Sequence, residues 1–409
     1  MLERTRSIRL SIAALFLWSL SAPYAVGQGA YDDVLLGFKR QFAANEIAAL
    51  NQPYVGVTTS AGVVPGLFPL QATGVSTTPI RSAAEKFLAT LTRAQQIKTV
   101  FAVDDPEWRK WSNVDNGIYV RQGISLEEMT SAQRDAAFAL MRESLSAKGL
   151  QLSLAIMKTD QTLREINNDE LRYGEQKYFF TVMGLPSPTE PWGWQLDGHH
   201  LIVNFFVLRD QVVMTPLFMG GEPVVTESGR YAGNAILQDE QNNALALLQS
   251  LNEEQRKAAT LGVDKNRDFL VAGAGRDNLS IDYAGVRASS LDPDQKLALL
   301  ALVNLFVGNL SDEHARIKLD QVQLHLNDTY FAWIGGSGAD AVFYYRIQSP
   351  VILIEFDHQA PIGMLGQLPP GVPTRQHIHT IVRTPNGNDY GKDLLRQHLE
   401  QHPHAPPAL

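Results

Sequence analysis

Residues 192–205 read WGWQLDGHHLIVNF, and residues 343–356 read FYYRIQSPVILIEF. The two stretches match without a gap, and both are rich in aromatic and β-branched residues, the composition of strands. Working outward, Tyr178–Val182 (YFFTV) matches Tyr330–Ile334 (YFAWI). Further upstream, Leu91-Thr-Arg-Ala-Gln95 matches Leu251-Asn-Glu-Glu-Gln255, and each opens a helix-like stretch. A second helix-like stretch follows in each half. Thr130 with Gln133, and Asp292 with Gln295, have the spacing of an N-cap residue and its capping-box partner. The spacing between matched positions drifts along the chain, as loop insertions produce. The pattern predicts an α+β fold built from an internally duplicated unit. Each half is a pair of helices followed by antiparallel strands, with the β units packed together.

The predicted boundaries follow from this. Arg4, Arg6 and Arg9 precede an apolar run from Leu10 to Leu20 and small residues up to Gly27, the layout of a secretory signal peptide over 1–27. A first repeat, with a Gly/Pro-rich extension, covers 28–225. A second covers 226–402, and a Pro-rich tail covers 403–409. Residues 51–80, almost free of charge, read as an extended segment on the surface of the first half. The expected location is secreted or periplasmic, without stable membrane association once the signal is removed.

The chain has 409 residues, 35 Lys+Arg, 43 Asp+Glu and no cysteine. A net charge of −8 argues against nucleic acid as a partner. The absence of cysteine excludes thiol nucleophiles, disulfides and thiolate metal sites, and leaves His, Asp and Glu as the strong ligands. There is no P-loop, Rossmann or Gly-x-Ser-x-Gly motif.

The histidines therefore carry the reading. His377-Ile-His379 precedes Arg383, and a period of two puts His377, His379, Ile381 and Arg383 on one strand face. Two imidazoles so placed can share a metal. Glu355, an acid within the apolar run Val351–Phe356, is the expected carboxylate partner if its strand is adjacent. In the first half His199 and His200 stand side by side. Read as strand residues they face opposite sides, and His200 is favoured because it shares a face with Asn204, the match of Glu355. The predicted metal set is His377, His379, Glu355 and His200, holding a divalent Zn, Fe, Mn or Cu ion. His200 and Arg383 are the predicted catalytic residues, with Arg383 orienting an anionic group. Trp192, Trp194, His199, Asn204 and Tyr345 are the predicted substrate lining, with Tyr344 beside them. A structural role is the alternative for each: Glu355 paired with Arg383 or Arg346, the histidines bonded to backbone carbonyls, the tryptophans packed in the core.

The stretches 193–204 and 377–383, followed by Asn388-Asp-Tyr-Gly391, resemble the domain of unknown function 3500 family over roughly residues 80–400. The family pattern has an aromatic residue before the arginine, where this chain has Val382. The resemblance implies secretion and implies that the histidine strands belong together. It carries no activity with it. Two functions are expected from the residues: a metal-dependent hydrolase, or a non-catalytic binding protein for a small molecule. Metal-assisted oxidation ranks behind hydrolysis. The sequence does not determine the oligomeric state.

Overall fold

A computed structural model describes residues 28–402. The predicted signal peptide and the 403–409 tail lie outside the described residues. The helices are α1 (Gln28–Ala49), α2 (Thr78–Thr90), α3 (Arg93–Thr99), α4 (Ser131–Ser144), α5 (Ala147–Asn167), α6 (Gln238–Ser250), α7 (Glu253–Ala259), α8 (Pro293–Val307), α9 (Asp312–Leu324) and α10 (Lys392–Gln401). The strands are β1 (Val100–Phe101), β2 (Ile124–Ser125), β3 (Phe179–Met183), β4 (Trp192–Asp197), β5 (Leu201–Leu208), β6 (Gln211–Val213), β7 (Leu217–Gly221), β8 (Thr260–Gly262), β9 (Val286–Arg287), β10 (Tyr330–Gly335), β11 (Phe343–Gln348), β12 (Leu353–His358) and β13 (Ile378–Arg383). The fold is α+β, and the described strands form one sheet of 13.

Four helices start on full capping boxes: Thr92 with Gln95 (α3), Thr130 with Gln133 (α4), Asn252 with Gln255 (α7), and Asp292 with Gln295 (α8). In each box the polar pair satisfies two amides that the helix start would leave open. The glutamines then meet in pairs. Gln133 Nε2 donates to Gln95 Oε1 at 2.8 Å, and Gln255 Nε2 to Gln295 Oε1 at 2.9 Å.

Antiparallel pairing of β7 with β13 forms the middle of the sheet. One wing runs β7-β5-β4-β3-β1 and the other β13-β12-β11-β10-β8. In each wing the outermost pairing is parallel and the inner ones antiparallel, so the expectation of purely antiparallel strands fails only at the short edge strands β1 and β8. Trp194 lies opposite Phe205 across β4–β5, and Tyr345 opposite Phe356 across β11–β12, with ring centroids 5.5 and 5.0 Å apart. Where the helices of the two halves meet, Ser146 N donates to Asn309 O and Ser311 N donates to Ser144 O.

The two faces of the sheet differ in chemistry. Trp194, Phe205, Tyr345 and Phe356 lie on the face that the helices cover. There Phe87 of α2 packs 5.6 Å from Phe180, and the Tyr345 hydroxyl donates to Glu240 O of α6. The register puts Gln195, Asn204, Gly220, His379, Asp357, Glu355 and Arg383 on the opposite face. Loops cover this face: Gln195 donates to Trp108 O, and Arg383 to Gly273 O.

The uncharged segment before α2 does not keep to the first half as expected. Thr58 N bonds Leu279 O, Ile281 N bonds Thr58 O, and Asn386 N bonds Val57 O, so it straps the second half. Its two ends keep to the first half, where Gln52 O accepts from Arg109 Nη1 and Thr73 N reaches Asp210. The loops at 278–282 and 386–387 supply the partners that its backbone requires once covered. Gly56, at φ +92°, is needed there: a Cβ would lie 2.7 Å from Gly387 N.

Candidate metal centre

The Gly198-His199-His200 step is the turn joining β4 to β5, not part of a strand. The period-two argument that separated the two histidines therefore does not apply, and both imidazoles turn toward α5. His199 Nδ1 lies 3.1 Å and His200 Nδ1 2.9 Å from the same oxygen, Asp160 Oδ1. Gly198 makes the turn possible, because a Cβ there would lie 2.1 Å from the Tyr178 ring. The Tyr178 hydroxyl in turn donates to Asp160 Oδ2 at 2.5 Å.

His379 lies in β13 and His377 just before it. β13 pairs with β7 so that His379 stands opposite Gly220. A Cβ on Gly220 would sit 2.9 Å from His379 Cδ2 and 3.3 Å from His200 Cδ2. The missing side chain is what lets the histidine turn and the histidine strand close on each other. His200, His377 and His379 are each at most 7% exposed, and one ring nitrogen from each lies within 4.8 Å of the others. A second such group is Asp160, His199 and His200.

The outer hydrogen bonds select the ring tautomers. His377 Nδ1 is 2.7 Å from Ala360 O, a carbonyl that can only accept, so the proton sits on Nδ1 and Nε2 presents a lone pair. That Nε2 is 3.0 Å from His379 Nε2. His200 donates Nδ1–H to Asp160, which likewise leaves its Nε2 as the free donor atom. Two nitrogens on one tetrahedral zinc stand about 3.3 Å apart, given Zn–N of about 2.0–2.1 Å. The His377–His379 separation is within a few tenths of an ångström of that, so the residues fit a metal ion.

Electrostatics point the same way. Burial, reinforced by the neighbouring His199, lowers His200 to about 4. Burial and the nearby His377 and His200 hold His379 well below its ordinary value. Both rings are neutral at pH 7, the form that ligates metals. Burial alone would raise Asp160, but His199 and His200 outweigh it and keep the carboxyl well below the usual range. Asp115, also pushed upward by burial, is brought down to about 2 by His199 and Lys39. Lys39 Nζ of α1 lies 2.5 Å from Asp115 Oδ2, and His199 Nε2 lies 3.5 Å from Asp115 Oδ1, so α1 closes the centre on its His199 side.

The predicted Glu355 is on the expected face and its strand is adjacent, but register removes it from the set. It stands opposite Ile381, and the residue opposite His379 is Asp357. Two residues along a strand is about 7 Å. Glu355 instead accepts from Tyr344 Oη (2.6 Å) and from the Ala272 (2.7 Å) and Val271 (3.2 Å) amides. Burial raises its pKa, and Arg346, directly across the ladder, acts against that rise. Asp357 pairs with Lys265 at 3.2 Å. Arg383 is fully buried, paired with Asp389 at 2.9 Å and donating to the Ala272 and Gly273 carbonyls, so all three guanidinium nitrogens are engaged by the protein itself. Asn204 accepts from Gln195 Nε2 and donates to Pro216 O. Trp192, Trp194 and Tyr345 are fully buried among core side chains, while Tyr344 is tied to Glu355.

The residues that sequence reasoning missed are Asp160, Asp115, Lys39, Tyr178 and Gly220. Asp160 had one usable signal: it shares the buried side of α5 with Ile156, Met157, Thr159 and Leu163, where an acid needs a partner. The others had none, since each is recruited from a remote segment.

No curated protein and no solved structure matches the chain. A family model described as "Protein of unknown function (DUF3500)" matches residues 73–392, most of the chain and all four histidines of the centre. The chain, with its buried histidine centre, belongs to the DUF3500 family.

Proposed function

We propose that His200, His377 and His379 hold a divalent metal ion and that the protein is a secreted metal-dependent hydrolase. The observation that carries this reading is the convergence of one ring nitrogen from each of three buried histidines, with the opposite ring edges of His200 and His377 held by Asp160 and Ala360. Three protein nitrogens leave one tetrahedral position open, the pattern of catalytic rather than structural zinc. When bound, the ion would supply Lewis acidity toward a water or a substrate carbonyl. The chain's own part is to keep the His200 and His379 rings neutral, exclude bulk water and orient His200 through Asp160. Helix α1 with Lys39 is the cover that substrate displaces. Arg383 and Glu355 hold the loop at 271–273 beneath the sheet face and do not reach the substrate.

The test is elemental analysis of the purified full chain after loading with Zn, Mn, Fe or Cu, followed by a screen of ester and amide substrates. One equivalent of metal per chain is expected, absent from a His377→Ala, His379→Ala double variant, with hydrolysis that follows metal content. No stoichiometric metal after loading ends the proposal. Metal without hydrolysis leaves a metal-dependent binding protein.

The chain is also read as a duplicated α+β unit, with halves at 28–225 and 226–402. The mirrored strand order of the wings, the two glutamine pairs and the matched hairpins support it. Superposition of the halves tests it: the four capping boxes and both hairpins must coincide under one rotation. Secretion rests on the sequence of residues 1–27, and N-terminal sequencing of exported protein checks it. No described helix is long and apolar enough to cross a membrane.

A further inference from the structure

The sheet has a second candidate site on the face away from the histidines. A cavity of about 460 Å³ lies between the sheet, α9 and the strap before α2. Its volume falls in the lower half of the range for small-molecule pockets. Leu217 and Val382 form its floor, Phe306 and Ile317 its wall, and Phe68 of the strap its cover. Register places Leu217 and Val382 opposite each other on the helix-covered face, so the sheet separates this cavity from His379.

Two charged residues line the cavity, the exposed Asp320 and the half-buried Lys318. Lys318 of α9 lines the cavity, and its Nζ donates to Val351 O at 2.8 Å and Gln321 Oε1 at 2.9 Å. Both acceptors are neutral, and an ammonium has three donors. Among the described residues no carboxylate lies within ion-pair distance of Lys318, although the other deeply placed cations, Lys39, Arg109, Lys265 and Arg383, each have one. Burial lowers Lys318 to about 7, against the opposing charge of Asp389. His314, 4% exposed and one helical turn away, also lines the space, with Nδ1 3.0 Å from Ser311 Oγ. A half-buried cation beside apolar side chains and without a partner anion is costly unless something supplies the countercharge.

We infer that this cavity binds a single-chain amphipathic anion, its alkyl chain against Leu217, Val382 and Phe306 and its carboxylate on Lys318. A ligand carboxylate adds the ion pair that neither carbonyl provides. This site is independent of the histidine centre and does not rest on the metal reading.

The experiment titrates the full chain with decanoate and with decanol, using calorimetry and displacement of a fluorescent anilinonaphthalene sulfonate. Saturable binding of one decanoate per chain is expected, about tenfold or more tighter than decanol, because only the anion gains the ion pair. Lys318→Met should remove that preference and leave the two ligands equal. Ile317→Phe fills the cavity without altering the ammonium and should weaken both ligands, so the test survives if the first variant fails to fold. Absence of saturable decanoate binding, equal binding of acid and alcohol by the unmodified chain, or a preference that survives in Lys318→Met overturns the inference. Inorganic phosphate serves as the third arm: if phosphate competes as well as decanoate does, the site reads charge alone and the alkyl-chain assignment is wrong.

Discussion

Asp160 Oδ1 lies 2.9 Å from His200 Nδ1 and 3.1 Å from His199 Nδ1, so one carboxylate oxygen of α5 orients both histidines of the β4–β5 turn. Carboxylates behind a metal-bound imidazole fix its tautomer and raise its basicity, and losing one typically costs about 10–100-fold in metal affinity. Asp160→Asn keeps the shape and removes the charge. Metal titration should show a loss of that order with binding stoichiometry retained. Unchanged affinity would mean that His200 is not a ligand.

Gly220 predicts a steric result. An alanine there must displace the His379 ring or the Ile378 carbonyl, which a Cβ would approach to 2.8 Å. Overpacking of this kind costs about 1–3 kcal/mol. Gly220→Ala should lower the melting temperature and weaken metal binding together. A fall in stability with metal affinity intact would place the ion elsewhere.

The docking of α1 should depend on pH through Glu46. Burial, opposed by the hydrogen bond from Ser112, raises this carboxyl from 4.5 to about 7, with Asp197 adding to the rise and Arg121 and Arg276 countering it. The folded chain thus holds the proton more tightly than the unfolded chain. The stability gained is full below 4.5 and is lost as pH rises through about 7. Hydrogen-exchange protection across 39–46, corrected for the intrinsic base-catalysed rate, should fall between about pH 5 and about pH 8, and Glu46→Gln should flatten that dependence. A slope that persists in the Gln variant would assign it to another group.

The buried glutamine pairs should be coupled. Gln255→Ala removes a capping-box acceptor and leaves Gln295 Oε1 without its Gln255 donor. Leaving a buried polar group unpaired costs about 1–3 kcal/mol. Denaturant unfolding of the single and double alanine variants at 255 and 295 should give a coupling energy of about 0.5–3 kcal/mol. Strict additivity would show that the two amides act separately.

How much of the site could be read along the chain depended on whether a local rule applied. Four capping boxes follow from residues three apart, and all four helix starts lie where that spacing put two of them and where the Leu-x-x-x-Gln pattern put the other two. His379 and Arg383 share a face because alternation within one strand needs no partner. His199 and His200 read as strand residues because the stretch 192–205 matches 343–356 without a gap. Gly198, set against the Tyr178 ring, breaks the strand there instead, and that contact joins residues twenty positions apart, one just before β3 and one just after β4. Glu355 failed for a related reason: adjacency of β12 and β13 was foreseeable, but the pairing offset between them was not.

Sequence alone determined the elements: which residues start helices, which stretches alternate, and that histidine and carboxylate were the only strong ligands available in a chain without cysteine. It also carried the family, since the histidine motifs keep their order. Tertiary structure decided which of those groups meet. Register set Asp357 rather than Glu355 opposite His379, the absent side chain of Gly220 let His200 approach, and α5 brought in Asp160 from outside every motif. The physical reason is range. Backbone alternation and capping act over two to four residues, whereas a buried charge is compensated by whatever the fold places beside it, at any distance along the chain.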